Sequence, residues 1–206
     1  MSTEILPIVS DQNFIKLGII DDYKSFIWTS RYYDHGDFEI VTGVSAKNVT
    51  MLKVGNYVTV DITEEDEETL IIYGRFATQI LGRRIIANQT QVNGRVSDAI
   101  YHLINDAIIN PSITKRKISN FTLGTYTNSN KINAQYTGKN LYSVISDICL
   151  QYGLGLKVTL NDSNEFVFVL YEGVDRSYDQ SENPYMVFSD TYDNLLNAQY
   201  EKNAQN

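Results

Sequence analysis

The chain has 206 residues, enough for one large domain or two small ones, and is 43% hydrophobic and 20% charged, a balance that supports a buried core. Asp and Glu number 25 against 17 Lys and Arg, a formal net charge of −8 with no basic run, which argues against a protein that neutralises nucleic-acid phosphates. The single cysteine, Cys149, excludes an internal disulfide and a cysteine-built metal site.

Other function classes fall away on the same grounds. The first residues lack a basic region followed by an apolar run, so no signal peptide is expected. Nowhere do about 18 consecutive apolar residues occur, so no membrane contact is expected. The chain reads as made and folded in a cytoplasm. With 12 Gly and 3 Pro it is neither linker nor fibre, and 15 Tyr beside 8 Phe favour half-buried strands and surfaces wet on one side.

Residues 24–33 alternate as a strand, with Phe26, Trp28 and Tyr32 on one face and Ile27, Thr29 and Arg31 on the other. Residues 34–37 form a turn, after which Phe38 and Ile40 continue the pattern. Ser45 can cap a short helix with Ala46, Val49 and Leu52 on its inner side. Residues 57–62 alternate again, with Val58, Val60 and Ile62 inward. The acidic run 64–68 reads as a solvated turn before a strand over 69–73. A brief helix follows, with Phe76, Ile80 and Leu81 on one face. Several strands with short turns suggest a small barrel or sandwich.

The middle has another rhythm. Residues 98–109 place Ile100, Leu103, Ile104, Ala107 and Ile108 on one helical stripe that stops at Asn110-Pro111. Strands are expected over 120–126 and 131–137. A second helix over 140–152 repeats the stripe with Leu141, Val144, Ile145, Ile148 and Cys149 and ends at Gly153. Strands over 155–160 and 165–171 complete a helix–strand–strand unit written twice, which predicts two helices on one face of a four-stranded sheet. A last strand, 185–189, is expected to return to the first module. The expected class is therefore α+β: a barrel-like β module from residues 1–94 and 184–206, with an α+β domain inserted at 95–183.

Chemistry-bearing residues are sparse. His35 lies in a turn and His102 on the outer side of the first long helix, with no third ligand nearby, so no metal site is expected. Cys149 reads as a core thiol. The acidic run lacks the turn glycine of a calcium loop. No nucleophile elbow or phosphate-binding glycine loop occurs, so neither a catalytic centre nor a cofactor is expected. The sequons at Asn48, Asn88 and Asn120 read as chance. Arg75, Arg83 and Arg84 flank the short helix, where its dipole favours cations. Asp175 and Arg176, adjacent opposite charges, read as a clamp between modules.

Taken in order, the motifs resemble a family. Tyr171-Glu172-Gly173-Val174-Asp175-Arg176-Ser177, Asn183-Pro184-Tyr185-Met186-Val187-Phe188-Ser189 and Asp193-Asn194-Leu195 resemble siphophage and prophage tail proteins related to the baseplate hub at the tail tip. Ser30-Arg31-Tyr32-Tyr33 with Gly36-Asp37-Phe38-Glu39 looks like the family's opening strands. Tyr73-Gly74-Arg75 and Ile80-Leu81-Gly82-Arg83-Arg84 look like its Gly-Arg helix. The resemblance covers most of residues 25–200. It implies a hub-like structural subunit of a tail tip, in several copies, often three, contacting other tail proteins in the assembled virion. Arg75, Asp175, Arg176, Phe188 and Asn194 are the candidate structural residues between modules. Tail-like bacteriocins share this machinery, and a cell-wall hydrolase or carbohydrate-binding module is the alternative from another class. Between Leu52 and Thr69 the chain is shorter than the family pattern. That pattern also continues past Tyr200 into a second barrel-like half.

Overall fold

Alternating apolar residues from Tyr23 onward build a sheet whose inner face closes a first hydrophobic core. The computed structural model describes residues 7–53, 60–61 and 69–192. Strands β1 (Ile8–Ser10) and β2 (Lys16–Ile19) form an antiparallel pair. Strands β3 (Tyr23–Thr29), β4 (Asp37–Gly43), β5 (Val60–Asp61) and β6 (Thr69–Arg75) form an antiparallel sheet in the order β3-β4-β6-β5. Ile40, Leu70 and Ile72 point inward and meet Val9, Ile20, Met51 and Leu52. Gly74 stands opposite Phe38, and a Cβ there would lie 2.1 Å from the Phe38 ring, so the sheet has no room for any other residue.

This module differs from the sequence expectation in three places. Among the described residues the strands do not close into a barrel, and β3 lies at one end of the sheet. Residues 30–33 leave the strand and form a loop. Helix α1 (Ala46–Met51) is capped by Ser45 as expected, its Oγ accepting from the Asn48 N–H at 3.1 Å, but it is rotated. Asn48 is buried and Val49 is 48% exposed. A polar network sets the rotation. The Asn48 amide donates to both Asp22 carboxylate oxygens at 3.2 Å, to Thr42 Oγ1 at 3.1 Å and to the Gly43 carbonyl at 3.0 Å, while Thr42 donates to Asp22 at 2.9 Å. A buried amide with that many acceptors outweighs one apolar contact from Val49. Burial of Asn48 also removes the first sequon from any acceptor role. Of the expected strand 57–62 only β5 is described. Val58, Ile62 and the acidic run lie outside the described residues.

The second core follows the two helical stripes. Helix α2 (Val96–Ile104) continues through one π turn, Asn105–Ile109, closed by the Asn110 N–H on the Asn105 carbonyl at 2.7 Å. The whole expected stripe from Ile100 to Ile108 is buried. Helix α3 (Leu141–Tyr152) starts at Asn140, whose side chain accepts from Ser143 N–H, and ends at Gly153 with φ +68°.

The expected four-stranded sheet is instead two sheets. Strands β10 (Leu154–Leu160), β11 (Phe166–Glu172) and β8 (Phe121–Leu123) pair in the order β10-β11-β8, with β8 parallel to β11. Strand β9 (Lys131–Tyr136) pairs separately with β7 (Thr90–Arg95) across six residues. Strand β7 carries a single large apolar residue, Val92, so alternation does not announce it. Leu81, Ile86 and Val92 join α2, α3 and the strands in one core.

By compactness the chain falls into residues 1–172 and 173–206. In the second unit, Gln180 bonds the Ser177 and Asn183 carbonyls, and the Tyr178 and Tyr185 rings meet edge-on at 5.4 Å. The expected strand at 185–189 is irregular and joins no ladder among the described residues.

The rotated α1 gives a direct check. Asn48→Ala should lower unfolding free energy by about 1–3 kcal/mol, because Asp22 and Thr42 lose a buried partner, whereas Val49→Ala should change it by about 0.5 kcal/mol or less. Urea denaturation of both variants measures this, and the reverse ranking would restore the sequence-derived helix face.

Candidate functional site

The loop 30–36 reaches across from the β3–β4 hairpin to α3 and β10. Tyr32 donates its hydroxyl to the Gly153 carbonyl at 3.0 Å, and its own carbonyl accepts from Leu156 N–H at 2.9 Å. Its ring stands edge-on to Tyr171 at 5.4 Å. Gly155 lies beneath both rings, where a Cβ would come within 2.5 Å of Tyr171 and 2.7 Å of Tyr32. Ser146 Oγ donates to the Tyr33 carbonyl at 2.6 Å.

Beside them, the Tyr142 hydroxyl donates to Asp34. The His35 N–H donates to Asp34 Oδ1 at 2.7 Å and to Tyr142 Oη at 2.8 Å, and the His35 ring Nδ1 lies 2.8 Å from Asp34. The bond from Tyr142 holds the Asp34 carboxyl below its ordinary range. Burial, helped by that same carboxylate, pushes the Tyr142 phenol up to about 12. Each group keeps the other in its bonding state near neutrality, so the arrangement is a joint between the two cores. The histidine expected in a plain turn is part of it.

The second feature is a cleft of about 1240 Å³ on the outer face of the β3–β4–β6 sheet. Two cross-strand rows floor one wall, Ile27–Glu39–Tyr73 and Thr29–Asp37–Arg75. Phe14, Phe76, Ile80, Ile118, Leu160 and Phe166 supply apolar surface, and Arg83 and Arg84 lie at the end of the 3-10 helix Ala77–Arg83. That element was expected as a brief helix. Its Leu81 is buried, while Phe76 and Ile80 face the cleft. Arg84 donates to the Arg116 carbonyl at 2.9 Å and to the Arg83 carbonyl at 3.1 Å, and its Nε is buried without a partner. Burial, then the charges of Arg116 and Arg83, pull its pKa down. Asp37 pairs with Arg31 at 2.7 Å, and none of Arg75, Arg83, Arg84 or Arg116 has an ion-pair partner among the described residues.

The sequence-derived candidates separate between these places. Arg75 lines the cleft. Asp175 and Arg176 serve local turns in the second unit: Asp175 accepts from Ser177 N–H at 2.8 Å, which lowers its pKa, and Arg176 donates to the Pro184 carbonyl at 3.4 Å. Phe188 is exposed, and Asn194 lies outside the described residues. Cys149 is buried, and burial pushes its thiol up to about 12, the state of a packed core residue. No group of His, Cys, Asp or Glu that could hold a metal occurs among the described residues. No helix among them is long and apolar enough to cross a membrane. Sequence reasoning missed Tyr32, Tyr142 and Gly155 as joint residues. The available signal was the pair Gly153 and Gly155, the second of them inside a strand.

The family model described as Siphovirus ReqiPepy6 Gp37-like protein matches residues 5–206. The chain belongs to that family. The siphophage tail resemblance of its ordered motifs is thereby borne out. No curated protein matches the sequence. Among solved structures, the fold is similar to prophage tail protein gp18 from Listeria monocytogenes EGD-e, at 13% identity and a TM-score of 0.54, over 78% of this chain and 49% of that one. A weaker likeness, at 10% identity and a TM-score of 0.43, is to the E. coli c3393 protein, a component of the type VI secretion system with structural similarity to T4 bacteriophage tail proteins gp27 and gp5. It covers 83% of this chain and 48% of that protein, so the chain spans about half the length of either.

A double-mutant cycle tests the joint. Asp34→Asn and Tyr142→Phe should each destabilise the protein, with a coupling of about 1 kcal/mol in urea unfolding. The sign with pH is fixed. Asp34 has a folded pKa below its ordinary 3.8, so its contribution is complete above about pH 4 and is lost as pH falls through the lower folded value. The cycle should therefore show coupling at pH 7 and lose it progressively in acid.

Proposed function

We propose that this chain is a structural subunit of a phage-type tail tip or baseplate. It is hub-like, and it joins the tail tube to the host-adhesion apparatus through protein–protein contacts and without catalysis. Family membership across residues 5–206 carries this reading, and the likeness to a prophage tail fold supports it. The reading includes several copies, three for a hub, around the tail axis. It keeps the division into a β-rich module, residues 1–94 and 184–206, and an inserted α+β domain, residues 95–183, with Arg75, Asp175, Arg176, Phe188 and Asn194 in structural roles.

The surface chemistry suits assembly. Ile27, Trp28, Tyr73 and Leu160 leave much of their area exposed in the first unit, and Tyr185, Met186 and Phe188 do so in the second. Tyr and Trp give large contact area at low rotamer cost, which is why they concentrate at interfaces. A net charge of −8 suits a part lying beside a DNA passage, since like charge keeps phosphates from adhering.

Co-expression with the tail proteins encoded beside it, followed by affinity purification and light scattering, tests this. The expected result is a stable complex with at least one of them, and three copies of the chain in it. Arg176→Ala should weaken that complex or lower the melting temperature. A wild-type chain that stays monomeric and binds none of the neighbouring tail proteins would overturn the reading.

A further inference from the structure

The cleft on the outer sheet face has features that the joint and the fold leave unused. At about 1240 Å³ it is larger than the roughly 300–1,000 Å³ of pockets for drug-sized ligands. Its apolar surface does not bury itself: Ile27 is 58% and Leu160 47% exposed at its rim. Both rim residues stand on strands at the end of their sheets, β3 and β10. Core-forming alternation would place polar residues at such positions.

The charges are lopsided. Asp37 is already paired with Arg31, so among the described lining residues Glu39 is the one carboxylate without an ion pair, against Arg75, Arg83 and Arg84. Arg84 is fixed in place by its bonds to the Arg116 and Arg83 carbonyls, with Nε buried and unpartnered. Arg83 and Arg84 both line the cleft and neither has an ion-paired acid among the described residues, in a protein that is acidic as a whole. Such an arrangement costs free energy until an anion arrives, and the planar guanidinium matches a carboxylate bidentately.

We propose that this cleft is a docking groove for a peptide segment of a partner protein, one that lays large apolar side chains against Ile27, Ile80 and Leu160 and sets a carboxylate at Arg83 and Arg84. The inference rests on the structural-subunit reading and deepens it by naming the chemistry of one partner. An apolar anchor beside a charge-assisted contact is the usual form of groove recognition, with affinity from the first and register from the second. A small free anion would use the arginines but not the apolar walls. A second copy of this chain would need to present the same acidic–apolar pattern from its own surface.

The test is selection of a random dodecapeptide display library on the full chain, with Arg83→Glu protein as counter-selection. Selected sequences should combine Asp or Glu with at least two large apolar residues. A fluorescein-labelled consensus peptide should bind about tenfold more weakly to Arg83→Glu and to Ile27→Asp, and normally to His102→Ala, which lies outside the cleft. Both cleft substitutions are at exposed positions, and matching thermal melts would establish that the variants fold. Failure to enrich any peptide would overturn the proposal, as would enriched peptides without carboxylates or binding indifferent to both substitutions. Inorganic phosphate alone displacing all binding at Arg83 would overturn it in favour of a simple anion site, and self-association abolished by the same substitutions would overturn it in favour of a second copy. If these tests fail while neighbouring tail proteins still co-purify, only the groove assignment falls.

Discussion

The outer edge of β10 is the constraint around which the first unit is built. An edge strand presents backbone N–H groups that must find acceptors or remain open to stray pairing. Here Leu156 N–H bonds the Tyr32 carbonyl at 2.9 Å and Val158 N–H bonds the buried Thr78 hydroxyl at 3.1 Å. Alternate outward-facing donors of the α+β sheet are thus satisfied by the loop after β3 and by the 3-10 helix after β6. The two cores therefore meet through directed bonds. Tyr142, Asp34 and His35 then fix the loop against α3, and Gly155 makes room for the aromatic pair that covers the seam. Each element of the joint depends on the loop leaving β3 at Thr29, which is why the strand is shorter than its alternation suggests.

Much of this was legible in the residues. The stripes of α2 and α3, the Asn140 cap, the Gly153 stop and strands β10 and β11 lie within a residue or two of where periodicity puts them, because a helix with one apolar face and a capped end has few alternatives. What escaped is governed by partners distant in sequence. Strand β7 is polar and exists because β9 pairs with it. Asn48 turns α1 because Asp22 and Thr42 await its amide. Residues 30–33 continue an alternating pattern yet form a loop, since Tyr32 is drawn to Gly153 and Tyr171. Local pattern cannot weigh hydrogen bonds made across more than a hundred residues.

The arginines show the same limit on the functional side. In sequence, Arg75, Arg83 and Arg84 read as cations suited to a short helix, and the bland interpretation is reasonable. Folding brings all three to the lining of one cleft with apolar walls. This polarity fits a protein that works by contact. Apolar surface left open on strands at the ends of their sheets is a liability unless a partner covers it, which is what the proposed structural role would supply.

The central claim is that this chain is a structural part of the tail tip, and the most direct measurement is a cryo-EM map of virions of a phage that encodes it. The account predicts density for the fold of residues 1–172 at the tip, in symmetric copies between tube and adhesion apparatus. Virions that lack the protein, or hold it away from the tail tip, would contradict it.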